Sequence, residues 1–310
     1  MPLIKVPATS ANLGPGYDTL GLALNLYNDF KIKKRNDQLL KIKIIDKNKE
    51  QEIKIADSDN LVVKAYQKYF DFIAEDLIGA EIIEEMHTPL ARGLGSSSSA
   101  IIGGLAAAAV VSGNLISEKE FIQLAVELEK HPDNVVSALV GGLTINFYCN
   151  NSFDYYKIDV EEDLNFILAV PDFELKTKEL RQVLAEKIDY SRAVFNLSRI
   201  SLLTAAFIKK DYSLLKTAME DQLHQPFRKE LIEGFDLIIN TAYDNGAYGA
   251  ALSGAGPTII AAAAAEDAEL IANEMKKVFI NNSKAVDFYI VEAYNKSLYQ
   301  SLKEEIFKND

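Results

Sequence analysis

The chain is poor in the residues that most metal and redox chemistry needs. Of 310 residues one is cysteine, Cys149, and three are histidine: His87, His131 and His224. A single cysteine excludes an intrachain disulfide and any multi-cysteine metal site, and a lone buried thiol is the expectation. No His-Glu-x-x-His is present, which disfavours a zinc hydrolase. Positive charge is also scarce: 33 Lys and Arg stand against 45 Asp and Glu, a formal net charge of −12. A general nucleic-acid surface needs a basic footprint, so no nucleic-acid partner is expected. The short basic run Lys31–Arg35 reads as the solvated face of a strand. Long hydrophobic runs are missing, and the longest, such as Ile259–Ala265, are too short to span a bilayer. The opening Met-Pro-Leu-Ile-Lys-Val-Pro lacks the charged start and apolar core of a signal peptide. A soluble, cytoplasmic protein with no membrane contact is therefore expected.

What is present is a core. Hydrophobic residues make up 48% of the chain, and its length suits one large domain or two ordinary ones. The most informative stretch is Pro89-Leu-Ala-Arg-Gly-Leu-Gly-Ser-Ser-Ser-Ser-Ala-Ile-Ile-Gly-Gly. Glycines let a backbone fold around an anion with its N–H groups inward. The apolar run Ala100–Val111 reads as a buried helix, which places the serines at its N-terminus. There the free N–H groups and the helix dipole attract phosphate. The spacing excludes other phosphate loops. A Walker loop needs a Gly-Lys-Ser/Thr that is absent, and Ser98 stands where a dinucleotide fingerprint needs its third glycine. No Gly-x-Ser-x-Gly elbow occurs, which disfavours an acyl-transfer hydrolase. A loop that merely caps a core helix would share this local pattern.

Strands are predicted over Leu3–Val6, Leu22–Lys33, Leu39–Ile45, Glu52–Ile55 and Ile82–His87 from apolar–polar alternation. A helix is predicted from Asp59 or Asn60 through Phe72. Ser117 with Glu120 makes a capping box for a second helix, ended at His131-Pro132 by proline. A strand follows over Gly141–Tyr148. The second half predicts a strand at Phe166–Pro171 and helices at Thr177–Ile188, Arg192–Ile208 and Arg228–Asn240. A hairpin-like pair, Ala250–Leu252 and Thr258–Ala263, precedes a helix over Asp267–Phe279 and a strand over Val286–Glu292. The tract Ala261–Ala265 fits a packed strand edge. This is a mixed α+β order, without the strict alternation of a doubly wound sheet.

Three other constellations carry possible chemistry. Pro7-Ala-Thr-Ser-Ala-Asn-Leu-Gly-Pro-Gly-Tyr-Asp18 holds an amide, Asn12, and a carboxylate, Asp18, on a stiff turn suited to a small polar substrate. A plain capped turn would look the same. In Glu129-Lys-His-Pro-Asp-Asn134, Glu129 lies at the border of the apolar stripe set by Phe121 and Leu124. It can point inward to Mg²⁺, which takes one or two carboxylates plus phosphates and waters. A solvated glutamate is the plainer reading. Gly249-Ala-Ala-Leu-Ser-Gly-Ala-Gly-Pro-Thr258 permits close backbone approach to a ligand or to another element. His87 reads as structural, whereas His131 and His224 sit among polar residues.

Together these pieces resemble the galactokinase–homoserine kinase–mevalonate kinase–phosphomevalonate kinase superfamily. Pro-x-x-x-Gly-Leu-Gly-Ser-Ser at Pro89–Ser97 resembles its ATP loop, and Ser253-Gly-Ala-Gly-Pro-Thr its third motif. The turn ending at Asp18 and His131-Pro-Asp-Asn-Val resemble the homoserine kinase branch. The resemblance spans residue 4 to about 295. It implies an N-terminal domain like domain 2 of ribosomal protein S5, over residues 1–160, and a ferredoxin-like C-terminal domain, over residues 161–310. ATP and substrate would meet in the cleft between them.

The resemblance also implies roles. Pro89, Leu90, Ala91, Arg92, Gly93, Leu94, Gly95, Ser96, Ser97, Ser98 and Ser99 would wrap the triphosphate, with Asn60 near the nucleotide. Ser97 and Glu129 would hold Mg²⁺, with Ser96 and Ser98 as alternatives to Ser97. Asn12, Asp18, His131, Asn134, Arg181 and Arg228 would line the amino-acid pocket. Asp18 can pair an ammonium group, and an arginine fork can hold a carboxylate. Thr177, on the segment of Arg181, is expected to approach the γ-phosphate. The implied reaction is ATP-dependent phosphorylation of the side-chain hydroxyl of L-homoserine, a step of threonine biosynthesis. Asn134 and His131 would orient the hydroxyl, and the assembly would be a homodimer. A mevalonate-type kinase and a nucleotide-binding regulator without turnover are the rivals. Tyr17, Lys130, Ser98-Ser99 and Val135-Val136-Ser137 depart from the common pattern, and Lys130 bears on the geometry beside Glu129.

Overall fold

A computed structural model describes residues 1–149, 152–175, 177–281 and 285–308. Two sheets organise it. The first takes β1 (Leu3–Asn12), β2 (Gly16–Lys34), β3 (Leu40–Asp46), β4 (Gln51–Ile53), β5 (Ala80–Met86), β6 (Leu143–Cys149) and β7 (Ser152–Ile158). Its order is β4-β3-β5-β2-β6-β7, and β1 pairs with β2. β5 shows the period-2 logic of a one-sided sheet: Ala80, Ile82, Glu84 and Met86 are buried, and the residues between are half-exposed. Glu84 is the polar exception on that inner row. It lies between Phe30 of β2 and Ile44 of β3, and burial pushes its carboxyl up to about 8.

Helices α1 (Leu61–Ile73), α2 (Ser96–Ser112), α3 (Glu118–Glu129) and α4 (Pro132–Val140) cover this sheet. Asn60 caps α1 by accepting from the N–H groups of Val62 and Val63. The capping box of Ser117 and Glu120 opens α3 as expected. α2 is buried almost throughout, because small residues let neighbours touch its backbone. A Cβ on Gly103 would sit 2.3 Å from the Phe30 ring, and one on Gly104 2.6 Å from the Val62 carbonyl oxygen.

The second sheet takes β8 (Leu164–Pro171), β9 (Gly249–Leu252), β10 (Ile259–Ala264) and β11 (Val286–Glu292), in the order β11-β8-β10-β9 and antiparallel throughout. Between β8 and β9 run α5 (Thr177–Gln182), α6 (Tyr190–Lys209), α7 (Leu215–Ala218), α8 (Gln225–Arg228) and α9 (Phe235–Asp244), and α10 (Ala265–Asn281) joins β10 to β11. Ignoring the extra helices, the path is βαββαβ with spatial order 4-1-3-2, the ferredoxin-like arrangement. α9 and α10 pack on one face of this sheet, while α6 and α7 pack with its other face and with β2. The final helix, α11 (Leu298–Ile306), returns to the first core, where Leu298 and Leu302 are buried with Ile4 and Val6. No helix among the described residues is long and apolar enough to cross a membrane.

Several boundaries differ from expectation. Pro132 does not merely stop a helix; it opens α4 at a position where its missing N–H is harmless. The helix expected over Thr177–Ile188 ends at Gln182, because residues 185–191 are all exposed and offer no buried face. The one expected over Arg228–Asn240 is interrupted by Gly234, which caps α9 at φ 79. β7 and α11 had no counterpart in the sequence reading. Cys149 is exposed, not buried, because it ends β6 at the outer tip of a hairpin. The alanine tract lies mostly in β10, an interior strand rather than an edge.

Candidate active site

The loop between β5 and α2 is the centre of the site. Gly93 and Gly95 take φ values of 80° and 69°, and Ala91 joins them in the left-handed region at 53°. Gly95 caps α2 without a side-chain acceptor, so the first-turn N–H groups have no capping side chain. Both glycines are required by close approach. A Cβ on Gly93 would stand 2.3 Å from the Ser253 carbonyl oxygen, and one on Gly95 2.0 Å from Thr9 Oγ1. The loop is fixed from both sheets. Thr9 N–H donates to Leu94 O and Thr258 N–H to Arg92 O, each at 3.2 Å. Ser253 Oγ donates to Gly93 O at 2.6 Å. Arg92 turns away from the loop and pairs with Asp172 at 3.1 Å.

Glu129, the last residue of α3, does point inward. Ser97 Oγ donates to its Oε1 at 2.5 Å, and Ser98 Oγ at 3.2 Å. Burial raises its pKa, and the two hydroxyls pull it down. Lys130 takes φ 72° as the cap of α3, the left-handed conformation that makes glycine the common choice there. A carboxylate with serine hydroxyls beside free helix N–H groups suits a hard cation shared with phosphate oxygens.

Opposite lies the turn that ends at Asp18. Asn12 donates through Nδ2 to Gly254 O at 2.8 Å and accepts the Asp18 N–H at 3.0 Å, so it braces the turn against the second sheet. Asp18 pairs with both arms of Arg181, at 2.7 and 3.1 Å. Arg181 also donates to the Tyr17 hydroxyl at 2.7 Å. Arg228 is buried beside the same ring, its guanidinium 5.5 Å from the ring centroid, and donates to Leu180 O and Gly254 O. His224 Nε2 lies 2.7 Å from Gly14 O, and its Nδ1 lies 3.1 Å from Arg228 Nη1. This geometry assigns the neutral Nε2–H tautomer, in line with a pKa lowered by burial.

α4 delivers the third side. His131 caps it, with its pKa lowered by burial and by the Arg181 charge. Asn134 Oδ1 accepts from Thr9 Oγ1 at 2.7 Å, beside Gly95. Asp133, which sequence reasoning missed, also lines the cleft. It is buried, and burial with the nearby Asp18 raises its pKa to about 7. The signal for it was proline at the first position of a new helix, which puts the next residue in the first turn.

One cleft thus gathers Asn12, Asp18, Ala91, Gly93, Gly95, Ser96, Ser97, Glu129, His131, Asn134, Arg181 and Arg228. The other expected residues are not part of its lining. Asn60 caps α1, Pro89 and Leu90 are half-buried before the tight turn, and Leu94 is in the core. Ser98 supports Glu129, and Ser99 accepts from Asn28 Nδ2 at 3.1 Å. Thr177 opens α5, and its side chain lies outside the described residues.

A family model described as the GHMP kinases N terminal domain matches residues 60–142, and one described as GHMP kinases C terminal matches 203–281. A homoserine kinase from Halothermothrix orenii is 46% identical over 92% of both chains. One from Clostridium beijerinckii is 43% identical over 88% of this chain and 90% of its own. The crystal structure of homoserine kinase from Cytophaga hutchinsonii superposes with a TM-score of 0.86 over 95% of both chains at 29% identity. The chain belongs to the homoserine kinase family of the GHMP kinases.

Proposed function

We propose that the protein transfers the γ-phosphoryl group of ATP to the side-chain hydroxyl of L-homoserine, giving ADP and O-phospho-L-homoserine. The observation that carries this is the meeting in one cleft of a phosphate-binding helix N-terminus and a pocket with both an acid and two arginines. The division of labour follows the two units expected over residues 1–160 and 161–310. The first supplies the ATP loop, Pro89–Ser99, with Asn60 near the nucleotide. The second supplies Arg181 and Arg228 for the carboxylate. Asp18 takes the ammonium group, and Asn12 and Asp133 set the shape of that end.

Ser97 and Glu129 would hold Mg²⁺, with Ser98 in reach. Bound there, the ion neutralises charge on the transferring phosphate. The chain's own part is positioning. Phosphoryl transfer passes through a loose transition state that asks for in-line alignment more than for a strong base. Asn134 is no base, and burial makes His131 a weaker one than a free imidazole. They orient the hydroxyl for direct attack on the γ-phosphorus; as the new O–P bond forms the β–γ bridge bond breaks to ADP, and the hydroxyl proton passes late to a phosphoryl oxygen and on to solvent. Thr177 is assigned to the γ-phosphate side. In this reading the enzyme works as a cytoplasmic homodimer.

The test is direct. Purified protein with ATP, Mg²⁺ and L-homoserine should yield equal amounts of ADP and O-phosphohomoserine by mass spectrometry. A panel with mevalonate separates the rival kinase, since mevalonate has no ammonium group for Asp18. Nucleotide binding without phosphorylation of any small alcohol would identify the silent regulator.

A further inference from the structure

The two arginines of the pocket are held in different ways. Asp18 grips both arms of Arg181, at 2.7 and 3.1 Å, so that charge is met before any ligand arrives. The acceptors around Arg228 are neutral: Leu180 O at 3.2 Å, Gly254 O at 3.3 Å and His224 Nδ1 at 3.1 Å. No carboxylate bonds to it among the described residues. Neutral groups therefore set its direction, and its charge stays available to an incoming carboxylate.

Of those three acceptors one belongs to a side chain, His224. Its ring is fully buried, and both nitrogens are used. Nε2–H donates to Gly14 O at 2.7 Å, while Nδ1 accepts from Arg228 Nη1. Gly14 opens the turn that carries Tyr17 and Asp18. It takes φ 86°, and a Cβ on it would stand 2.2 Å from Met219 O, so the turn lies directly against the chain just ahead of His224. The Tyr17 ring centroid is 5.4 Å from that of the imidazole. One ring thus registers the acidic side of the pocket against its basic side. The ring is itself held from behind. Asp221, whose side chain is buried, accepts from the N–H groups of Leu223, His224 and Gln225 and from Asn196 Nδ2. Asn196 also donates to Pro15 O at 3.3 Å, which ties α6 to the same turn.

An imidazole suits this place because it can aim a guanidinium without discharging it. A carboxylate there would bond Arg228 and neutralise it, as Asp18 does Arg181. A protonated imidazole would have no acceptor left for Arg228. Burial lowers the pKa of His224 and so favours the accepting form. We propose that His224 is the positioning residue for the carboxylate side of the substrate pocket: Nδ1 fixes Arg228 against the substrate turn and leaves its charge to the substrate. This rests on the assignment of Arg228 to the substrate carboxylate, and it names the group that sets that arginine.

The role can be separated atom by atom. Asparagine carries its polar atoms as far from Cβ as Nδ1 lies, and glutamine as far as Nε2. His224→Asn therefore keeps the acceptor for Arg228 and loses the bond to Gly14, and His224→Gln does the reverse. In steady-state kinetics His224→Gln should raise the KM for homoserine about 20-fold, as loss of a buried hydrogen bond to a charged group does. Its kcat and its KM for ATP should stay within about 3-fold of wild type. His224→Asn should keep the KM for homoserine within about 3-fold, although its Tm falls as far as that of His224→Gln. Aminopropanol has the hydroxyl and the ammonium group but no carboxylate, so its low kcat/KM should be the same in wild type and His224→Gln. An equal rise in the homoserine KM in both variants, or an equal loss of kcat/KM for aminopropanol and homoserine, would assign His224 to the fold alone and overturn the proposal. A wild type that makes no O-phosphohomoserine is a separate result, which would overturn the reading of the site and the proposal with it.

Discussion

Glu129 shows how much a single side chain depends on its surroundings. On a bare helix it would be solvated; here two serine hydroxyls hold one of its oxygens at the mouth of the phosphate loop. Glu129→Gln keeps the shape and removes the charge. Its kcat/KM with Mg²⁺-ATP should fall roughly 100-fold, about 2.7 kcal/mol of transition-state stabilisation. Initial rates across a magnesium titration check this, and wild-type turnover at limiting magnesium would remove the metal role. Glu84 illustrates the opposite case, a carboxyl that gains nothing from its charge. Its pKa rises from the ordinary 4.5 to about 8 on folding, so the folded state holds the proton more tightly. The stability of its neutral form is full below about pH 4 and is lost as pH climbs through about 8, at ~1.4 kcal/mol per unit. Glu84→Gln should therefore flatten the decline of Tm between pH 5 and pH 8.5. Calorimetry of both proteins decides it. At this scale the sequence was legible where residues come in signatures: Glu129, Asp18, Asn134, Ser96 and Ser97 reach one cleft. Asp133 was not, because His131-Pro132 reads equally well as the end of one helix and the start of the next.

The elements explain why the loop tolerates so little. Gly93 lies against the turn between β9 and β10, backbone to backbone, at a positive φ. Gly93→Ala should lower stability by about 2 kcal/mol through strain, and should raise the KM for ATP more than that for homoserine. Denaturant unfolding and steady-state kinetics on one preparation test both parts. Periodicity located most strands and the capped helices, since capping boxes and alternation are local signals. It overextended α5 because Thr177–Ile188 has helical composition but no wall to pack on, and composition does not report walls. It missed α11 because an amphipathic helix of nine residues has a faint pattern until its partner core is known.

Across the whole molecule, the two sheets are joined through the site rather than by a linker alone. Ser253 bridges Ser10 of β1 and the phosphate loop, and Arg92 reaches Asp172. The strand and helix order of the second half was compatible with a ferredoxin-like unit, and it was the family resemblance that implied one. The closing of the first core by α11 was not legible, because it depends on contacts between the ends of the chain. Leu302→Ala, at the far end of the chain, should therefore cost about 2–4 kcal/mol in the first core. It should lower the Tm of the entire protein in one transition by calorimetry; an early separate transition of the second sheet would contradict this. During synthesis the consequence is one of timing. The ribosome finishes the first sheet long before it makes Leu298 and Leu302, so the groove they plug stays open while the second unit emerges. The first core cannot close ahead of the second unit, and a chain stalled before α11 would leave the exit tunnel with that core still unsealed.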